Sequence, residues 1–467
     1  MKRREMFYLF PIGIAGFPGS ANNVLAHEIY HTRKQGINSE PLSIQYTKKV
    51  REMLKWIRET QSENILEASH AVASAKKKGG TCWCIWDMGH SALADVFQGR
   101  NGEPEIFTQG YDKNKSKKDD LLLTNLGEYP PFDDIVRKEI VVIGGPCAWG
   151  GDSHGTEFLL ERIRKIVVRP YAHIWIENNI TTYDAVMHIP GMPAPLGPFS
   201  GVLGMMTYWM ILADVCRILA RDSISVKVKG DEPKLTGDNV PWIGLDDPLM
   251  DNYYDEIIRE IVMIGAEFGN IREIAKMAVD SVLAGGKVYC YSRYRDSLAM
   301  EASYRRGGLI LTRGVFDKDG EISSFDSDTF SGSSKDCVIM GISKPDDEID
   351  LKHLDTFRKY EMKISSMGPM TRDIKIPKGR TVPKESDIHV GRMCDTYGLF
   401  AVPGFEQKIS PTSGVLLNQM FWAACMEIAE EILRRTGNAP GILFSSALKE
   451  GGTHNRYMVE QYNERGY

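Results

Sequence analysis

The sequence predicts an α/β protein made of two similar domains in tandem, each with a mainly parallel sheet covered by helices on both faces. Three observations predict it. The first is an internal echo. Gly79-Gly80, Cys84 and Ser91 reappear as Gly285-Gly286, Cys290 and Ser297, each displaced by 206 residues. Pro198, Ser200-Gly201-Val202-Leu203 and Trp209 return as Pro411, Ser413-Gly414-Val415-Leu416 and Trp422, displaced by 213. A repeat of this length exceeds a solenoid unit and signals two domains. The second observation is an alternation of strand-like runs with helical stretches, the pattern of a parallel sheet. The third is the polar, Pro- and Gly-bearing stretch 229–249, which reads as a linker between domains at 43–228 and 250–467.

The elements follow in order. Residues 43–78 read as helix, because Val50, Met53, Leu54 and Ile57 share one stripe, as do Ile65, Ala68 and Val72. Lys76-Lys77-Lys78 complements the helix C-terminus and Gly79-Gly80 ends it. The β-rich run Thr81 to Trp86 leads through Asp87-Met88-Gly89-His90 to a new helix near Ser91. Strand-like runs recur at 140–143, 172–176 and 185–188, with a helix at 156–166 between the first two. An apolar helix at 201–219 closes the half. The second half repeats the plan. A helix at 253–283 ends at Gly285-Gly286, and a strand at 287–291 leads to Ser297 and a helix. A strand at 338–341, a helix at 351–360, a strand at 362–365 and a long helix at 415–435 follow.

Composition narrows the function. The chain has 467 residues, 42% of them apolar and 25% charged, with a net charge of −5. No basic tract speaks for a nucleic-acid partner, and no run of 18 or more apolar residues speaks for a membrane span. The eight cysteines lack zinc spacing and read as buried free thiols. At the N-terminus, Lys2-Arg3-Arg4 precedes the apolar stretch 6–17 and then Val24-Leu25-Ala26, the layout of an export signal over residues 1–26. The Arg3-Arg4 pair resembles a twin-arginine signal. The expected location is periplasmic or exported if that signal operates, and cytoplasmic otherwise.

Ligands of open α/β sheets bind beyond the strands' carboxyl ends, where loops meet helix starts. Ser91 and Ser297 both fall there. A hydroxyl beside exposed N–H groups suits an anion, although an ordinary helix cap explains the same serine. Gly89 lets the backbone approach a ligand closely. Glu301 lies four residues past Ser297 on the same helix face, and its repeat mate Asp95 lies four past Ser91. Two such carboxylates could move a proton next to a carbonyl, or could be helix-surface acids. His454 follows a loop at Gly451-Gly452, and a histidine there could shuttle protons. His90 could do so, or could bond a carbonyl structurally. Asp152, His154 and Cys147 are a weaker set of metal ligands. The Met- and aromatic-rich run 205–210 reads as core.

These residues carry a resemblance. Gly-Gly, a short strand, Gly-His-Ser and a helix are similar to the sugar isomerase (SIS) domain. Glu301-Ala302-Ser303-Tyr304-Arg305-Arg306-Gly307-Gly308-Leu309 resembles the E-x-x-x-R-A-G-G-L segment of a small SIS family. Pro411-Thr412-Ser413 with Leu417-Asn418, and Gly451-Gly452-Thr453-His454-Asn455, match two further segments of it. The resemblance implies three-layer α/β/α domains binding a sugar or sugar phosphate, often between paired domains, and a homodimer. It implies no cofactor. Substrate contacts would fall on Gly89, Ser91, Ser297, Arg305, Ser343, Ser413 and Asn455. The second phosphate loops depart from the family: 144–155 carries Asp152, and 341–347 carries Asp346 and Asp347, all of which repel phosphate.

The resulting expectation is an aldose–ketose isomerase working through an enediol(ate), with Glu301 as base, His454 assisting, and Asp95 and His90 as further candidates. A non-catalytic sugar-binding or sensing protein is the alternative from another class. A metal-dependent sugar enzyme is a third.

Overall fold

A computed structural model describes residues 40–86, 101–125, 131–146, 168–179, 184–230, 234–236, 240–293, 297–303, 306–325, 330–342, 344–369, 379–392, 398–444 and 448–467. The export signal expected at 1–26 and the helices expected at 156–166 and after Ser91 lie outside these residues.

The first half runs α1 (Leu42–Lys77), β1 (Cys82–Ile85), β2 (Glu103–Pro104), β3 (Phe107–Gln109), β4 (Leu121–Thr124), α2 (Phe132–Arg137), β5 (Val141–Gly144), β6 (Ile174–Trp175), β7 (Ala185–Met187), β8 (Leu196–Pro198), α3 (Ser200–Arg221) and β9 (Val228–Lys229). The second runs α4 (Leu249–Ile264), α5 (Phe268–Leu283), β10 (Val288–Ser292), α6 (Ser297–Glu301), β11 (Thr312–Lys318), β12 (Glu321–Ser324), β13 (Cys337–Gly341), α7 (Glu348–Lys359), β14 (Lys363–Pro369), α8 (Val382–Glu385), β15 (Ile388–Arg392), α9 (Ser413–Thr436) and α10 (Gly451–Arg465).

The first sheet has the order β3-β1-β4-β5-β6 and the second β12-β11-β10-β13-β14-β15. Every pairing in them is parallel except β11 with β12. Five strands of the second sheet, β11-β10-β13-β14-β15, repeat the order of the first.

Side chains alternate across each strand, and the two faces bury differently. Cys82, Cys84, Leu121 and Leu123 face a central helical layer, whereas Trp83, Leu122 and Val142 pack with Phe132 and Ile135 of α2. In the second sheet Val288, Cys290, Cys337 and Ile339 face the centre, and Tyr289, Tyr291, Val338 and Met340 pack with Leu354 and Phe357 of α7. Each half is therefore a three-layer α/β/α unit. The central layer is one continuous core to which α1, α3, α4, α5 and α9 all contribute. Helix α3 is long and apolar enough to cross a membrane, yet its apolar window is wholly buried in this core.

The repeated Gly-Gly pairs have a steric cause. Gly79 and Gly285 take φ of +72° and +80° to end α1 and α5. A Cβ on Gly80 or Gly286 would stand 2.1 Å from the carbonyl oxygen of Asp119 or Lys335. Replacing Gly286 by alanine is expected to cost roughly 1–3 kcal/mol of stability, the usual range for overpacking. The urea midpoint measures it, and an unchanged midpoint would mean that the chain at Lys335 gives way freely. Beyond each Gly-Gly, a carboxylate pins the strand start. Asp120 accepts from Thr81 N at 2.8 Å, and Asp336 from Lys287 N at 2.7 Å.

The halves also cap each other. Helices α1 and α4 follow Pro41 and Pro248, and neither N-cap makes a side-chain hydrogen bond. The orphaned N–H groups of a helix start need acceptors. Glu427 of α9 accepts from Ser43 N of α1 at 2.9 Å, and Asp214 of α3 accepts from Leu249 N of α4 at 3.0 Å. Asp214 and Glu427 are 213 residues apart, the displacement of the Ser-Gly-Val-Leu echo. The last long helix of each half thus caps the first helix of the other.

Three expectations are corrected. The single helix expected at 253–283 is two helices, α4 and α5, joined by a 3-10 turn at Gly265–Glu267. The strand-like run at 185–188 belongs to an antiparallel hairpin with β8, outside the main sheet, and the chain reverses between them where Met192 N donates to Ile189 O and Gly191 takes φ +86°. Gly451-Gly452 is the first turn of α10, where a loop was expected. Within the stretch 229–249, Leu235 N donates to Glu406 O, and Ile243 N to Ala401 O.

Candidate functional site

The sequence candidates separate into two groups. Gly89, His90, Ser91, Asp95, Arg305 and Ser343 lie outside the described residues, as do Cys147, Asp152 and His154. Ser297 opens α6, but its side chain is likewise outside the description. Glu301, Ser413, His454 and Asn455 are described. Among the described residues, no group of three or more His, Cys, Asp or Glu side chains is placed to hold a metal.

Glu301 ends α6 with no exposed surface, so it is not a helix-surface acid. Its Oε1 accepts a hydrogen bond from Nε1 of Trp422, on α9, at 3.1 Å. Trp422 is itself 1% exposed. Cys425, one turn further along α9, is a buried thiol raised well above its ordinary range by desolvation, with the neighbouring Cys290 and Glu301 pushing it the same way. The carboxylate is thus held between α6 and α9. Sequence reasoning missed Trp422 as its partner; the only signal was that Trp422 and Trp209 repeat.

Beyond Glu301 the chain turns into Arg306–Ile310, which ties distant segments together. Gly307 N donates to Leu443 O, Leu443 N to Gly308 O, and Ile310 N to Gly441 O. Gly197 N in β8 donates to Gly307 O, joining the same segment to the first half. Gly307 has φ +73°, and a Cβ there would meet Ala185 at 2.7 Å. Only glycine suits that position.

The His-Asn pair holds the other side of this junction. Asn455 accepts from Phe444 N at 2.7 Å and donates to Phe444 O at 2.9 Å. His454 Nε2 stands 2.9 Å from Ile442 O. A carbonyl only accepts, so Nε2 carries the hydrogen and Nδ1 of the neutral ring is an acceptor. Both residues position 442–444, and Ile442 bridges Leu309. The Gly-Gly-Leu segment and the His-Asn pair therefore form one connected unit, and Thr312 Oγ1 ties it to the residue after Glu301 by donating to Leu309 O at 3.0 Å and Ala302 O at 2.9 Å.

Ser413 opens α9 and is fully buried. The turn before it is tied to both halves: Tyr253 Oη donates to Pro411 O at 2.9 Å, and Ser410 N donates to Gly102 O at 3.1 Å. At the corresponding start of α3, Asp184 accepts from Ser200 N at 3.1 Å and Ser200 Oγ at 2.8 Å. Ser413 and Trp422 are nine residues apart, about 13 Å along the helix. Ser413 and the Glu301 carboxylate thus meet α9 at different levels.

The outer face of the second sheet carries a buried polar row. Tyr291 Oη donates to Asp350 Oδ1 at 3.1 Å, and His353 Nε2 lies 2.7 Å from Asp317 Oδ2. Burial raises the Tyr291 phenol well above its usual range, and the Asp350 charge adds to this. Further along the same row, Ser366 Oγ is 2.8 Å from Nδ1 of His389. His389 Nε2 is buried with no partner among the described residues. Desolvation lowers the His389 pKa to about 4.

That shift has a sign. The folded state resists protonating His389 while the unfolded chain takes a proton near pH 6.5, so acidification from 6.5 toward 4 favours unfolding. The loss is at most about 3 kcal/mol. Urea unfolding at pH 7 and pH 4.5 measures it, and His389→Gln should remove that share of the pH dependence. Equal slopes in both proteins would overturn the assignment.

The chain matches no family model and no curated protein sequence. It is similar in structure to the C-terminal domain of glucosamine-fructose-6-phosphate aminotransferase from Francisella tularensis, at 9% identity and TM-score 0.43, covering 84% of this chain and 96% of that one. It is also similar to tagatose-6-phosphate ketose/aldose isomerase from Escherichia coli, at 10% identity and TM-score 0.38, covering 85% of this chain and 95% of that one. The α/β/α assignment itself rests on the strand order and two-faced burial of this chain.

Proposed function

We propose that the protein binds a sugar or sugar phosphate between its two halves and isomerises it by proton transfer through an enediol(ate). What supports this reading is the buried Glu301 carboxylate held by Trp422, followed in the chain by the Gly-Gly-Leu segment that the His-Asn pair braces through 442–444. Glu301 takes the proton from the carbon beside the ligand carbonyl and returns it to the neighbouring carbon. Nδ1 of His454 moves the hydroxyl proton. Trp422 orients the carboxylate, and burial strengthens its interaction with the developing charge. In this reading Ser91, Ser297, Ser343, Arg305 and Ser413 contact the ligand, while Asn455 positions the segment 442–444.

Proton NMR in D₂O with a panel of aldoses, ketoses and their phosphates tests it. Deuterium appearing at the carbon next to the carbonyl is the expected result. Sugar binding without turnover is favoured by one observation, the complete burial of Glu301. Line broadening of a ligand with no deuterium incorporation would select that second reading.

A further inference from the structure

The second half parts from its repeat inside the shared core. Met205-Met206 of α3 correspond to Asn418-Gln419 of α9, 213 residues further on, and all four side chains are buried. Asn418 and Gln419 have no exposed surface. Asn418 Nδ2 stands 3.6 Å from Sδ of Met205, and Gln419 Nε2 donates to Thr47 Oγ1 of α1 at 3.4 Å. The two amide oxygens, Asn418 Oδ1 and Gln419 Oε1, are buried and make no hydrogen bond among the described residues. A thioether accepts only weakly, so turning the Asn418 amide over would strand its nitrogen instead of its oxygen. An unpaired buried acceptor costs stability, and the methionines at the repeat positions show what packs there without that cost. Core positions that break such a rule are often functional.

Their place in the fold suits a ligand. Helices α1 and α3 belong to the first half and α9 to the second, so both amides lie where the halves meet. Along α9 they stand about 8 Å beyond Ser413 and about 5 Å short of Trp422. The Trp422 indole holds Glu301, and Asn418, four residues earlier, shares its face of the helix. We propose that Asn418 Oδ1 and Gln419 Oε1 accept hydrogen bonds from hydroxyl groups of the bound sugar. An amide oxygen rewards a donor, so these positions take the hydroxyl-bearing carbons, and a fully ionised phosphate, which only accepts, gains nothing there. The proposal rests on the sugar-binding reading above and adds two contacts to it.

Asn418→Leu and Gln419→Met nearly keep the shape of each side chain and remove its oxygen. Asn418→Ala removes the amide without adding bulk and is read for binding alone, should leucine overpack. The full chain and each variant are followed by urea unfolding without sugar, and by proton line broadening of glucose, fructose and their 6-phosphates. The expected urea midpoint is unchanged or higher in Asn418→Leu and Gln419→Met, because an unpaired oxygen is lost. Binding of whichever sugar the wild type broadens should weaken about five- to tenfold, the scale of one lost hydrogen bond. A part in packing alone, or a bound internal water, would give the reverse, a lower midpoint with binding unchanged, and that overturns the proposal. Wild-type binding in all three variants overturns it as well. If the wild type broadens none of the four sugars, the sugar-binding reading falls and this proposal falls with it, so the two failures are told apart.

Discussion

Replacing Asp214 by alanine should lower the unfolding free energy by about 3–5 kcal/mol, the cost of stranding a buried charge. Asp214 has no exposed surface and Arg217 is 4% exposed. One carboxylate oxygen accepts from Arg217 Nε at 2.7 Å and from Leu249 N at 3.0 Å. Without it the guanidinium keeps, among the described residues, a long contact to Leu245 O at 3.4 Å, and the start of α4 loses its acceptor. The reciprocal change, Glu427→Ala, removes a cap but strands no cation seen in the structure, and should cost about 1–2 kcal/mol. Urea denaturation of both variants measures the difference. The double change Asp214→Ala with Arg217→Met should recover much of the loss, since it removes both charges. A loss below that of Glu427→Ala would show that the Asp214–Arg217 pair does not act as a buried unit.

Glu301→Gln should reduce deuterium exchange into a sugar substrate by about 100-fold or more, the scale on which a positioned base contributes. An amide oxygen still accepts from the Trp422 indole, so thermal stability should stay close to that of wild type. That combination separates proton transfer from packing. Full exchange in Glu301→Gln would remove it as the base, whereas a large fall in melting temperature would identify the carboxylate as structural. The complementary change, Trp422→Phe, keeps the aromatic bulk and deletes the donor. It should alter the rate more than the affinity if the indole orients the carboxylate.

Much of the fold was legible because its signals are local. Apolar stripes marked α1, the Gly-Gly pairs marked the ends of α1 and α5, and the echoes at 206 and 213 residues announced a second sheet of the same order. Glycines at 80 and 286 are readable because a backbone carbonyl leaves no space for a side chain. Strands β4 and β11 and helix α10 were passed over: Leu121–Thr124 is short and apolar on both faces, and α10 has little apolar periodicity, with only Gly451 and Met458 buried. The break between α4 and α5 was hidden because both helices keep their apolar stripes through it.

The site was legible only as residue types. Glu301, His454 and Asn455 could be chosen for their chemistry and motif company, yet nothing local assigned Trp422 to the carboxylate or Phe444 to the asparagine. The same holds for the pairing of the halves. Proline at 41 and 248 announces two helix starts that lack side-chain caps, whereas their acceptors lie elsewhere in the chain. Ser43 and Glu427 are 384 residues apart. Periodicity and turn chemistry act over a few residues and can be read from the chain directly. Which carboxylate satisfies which buried N–H depends on how the packed layers meet, because that is where desolvation makes an unpaired group costly.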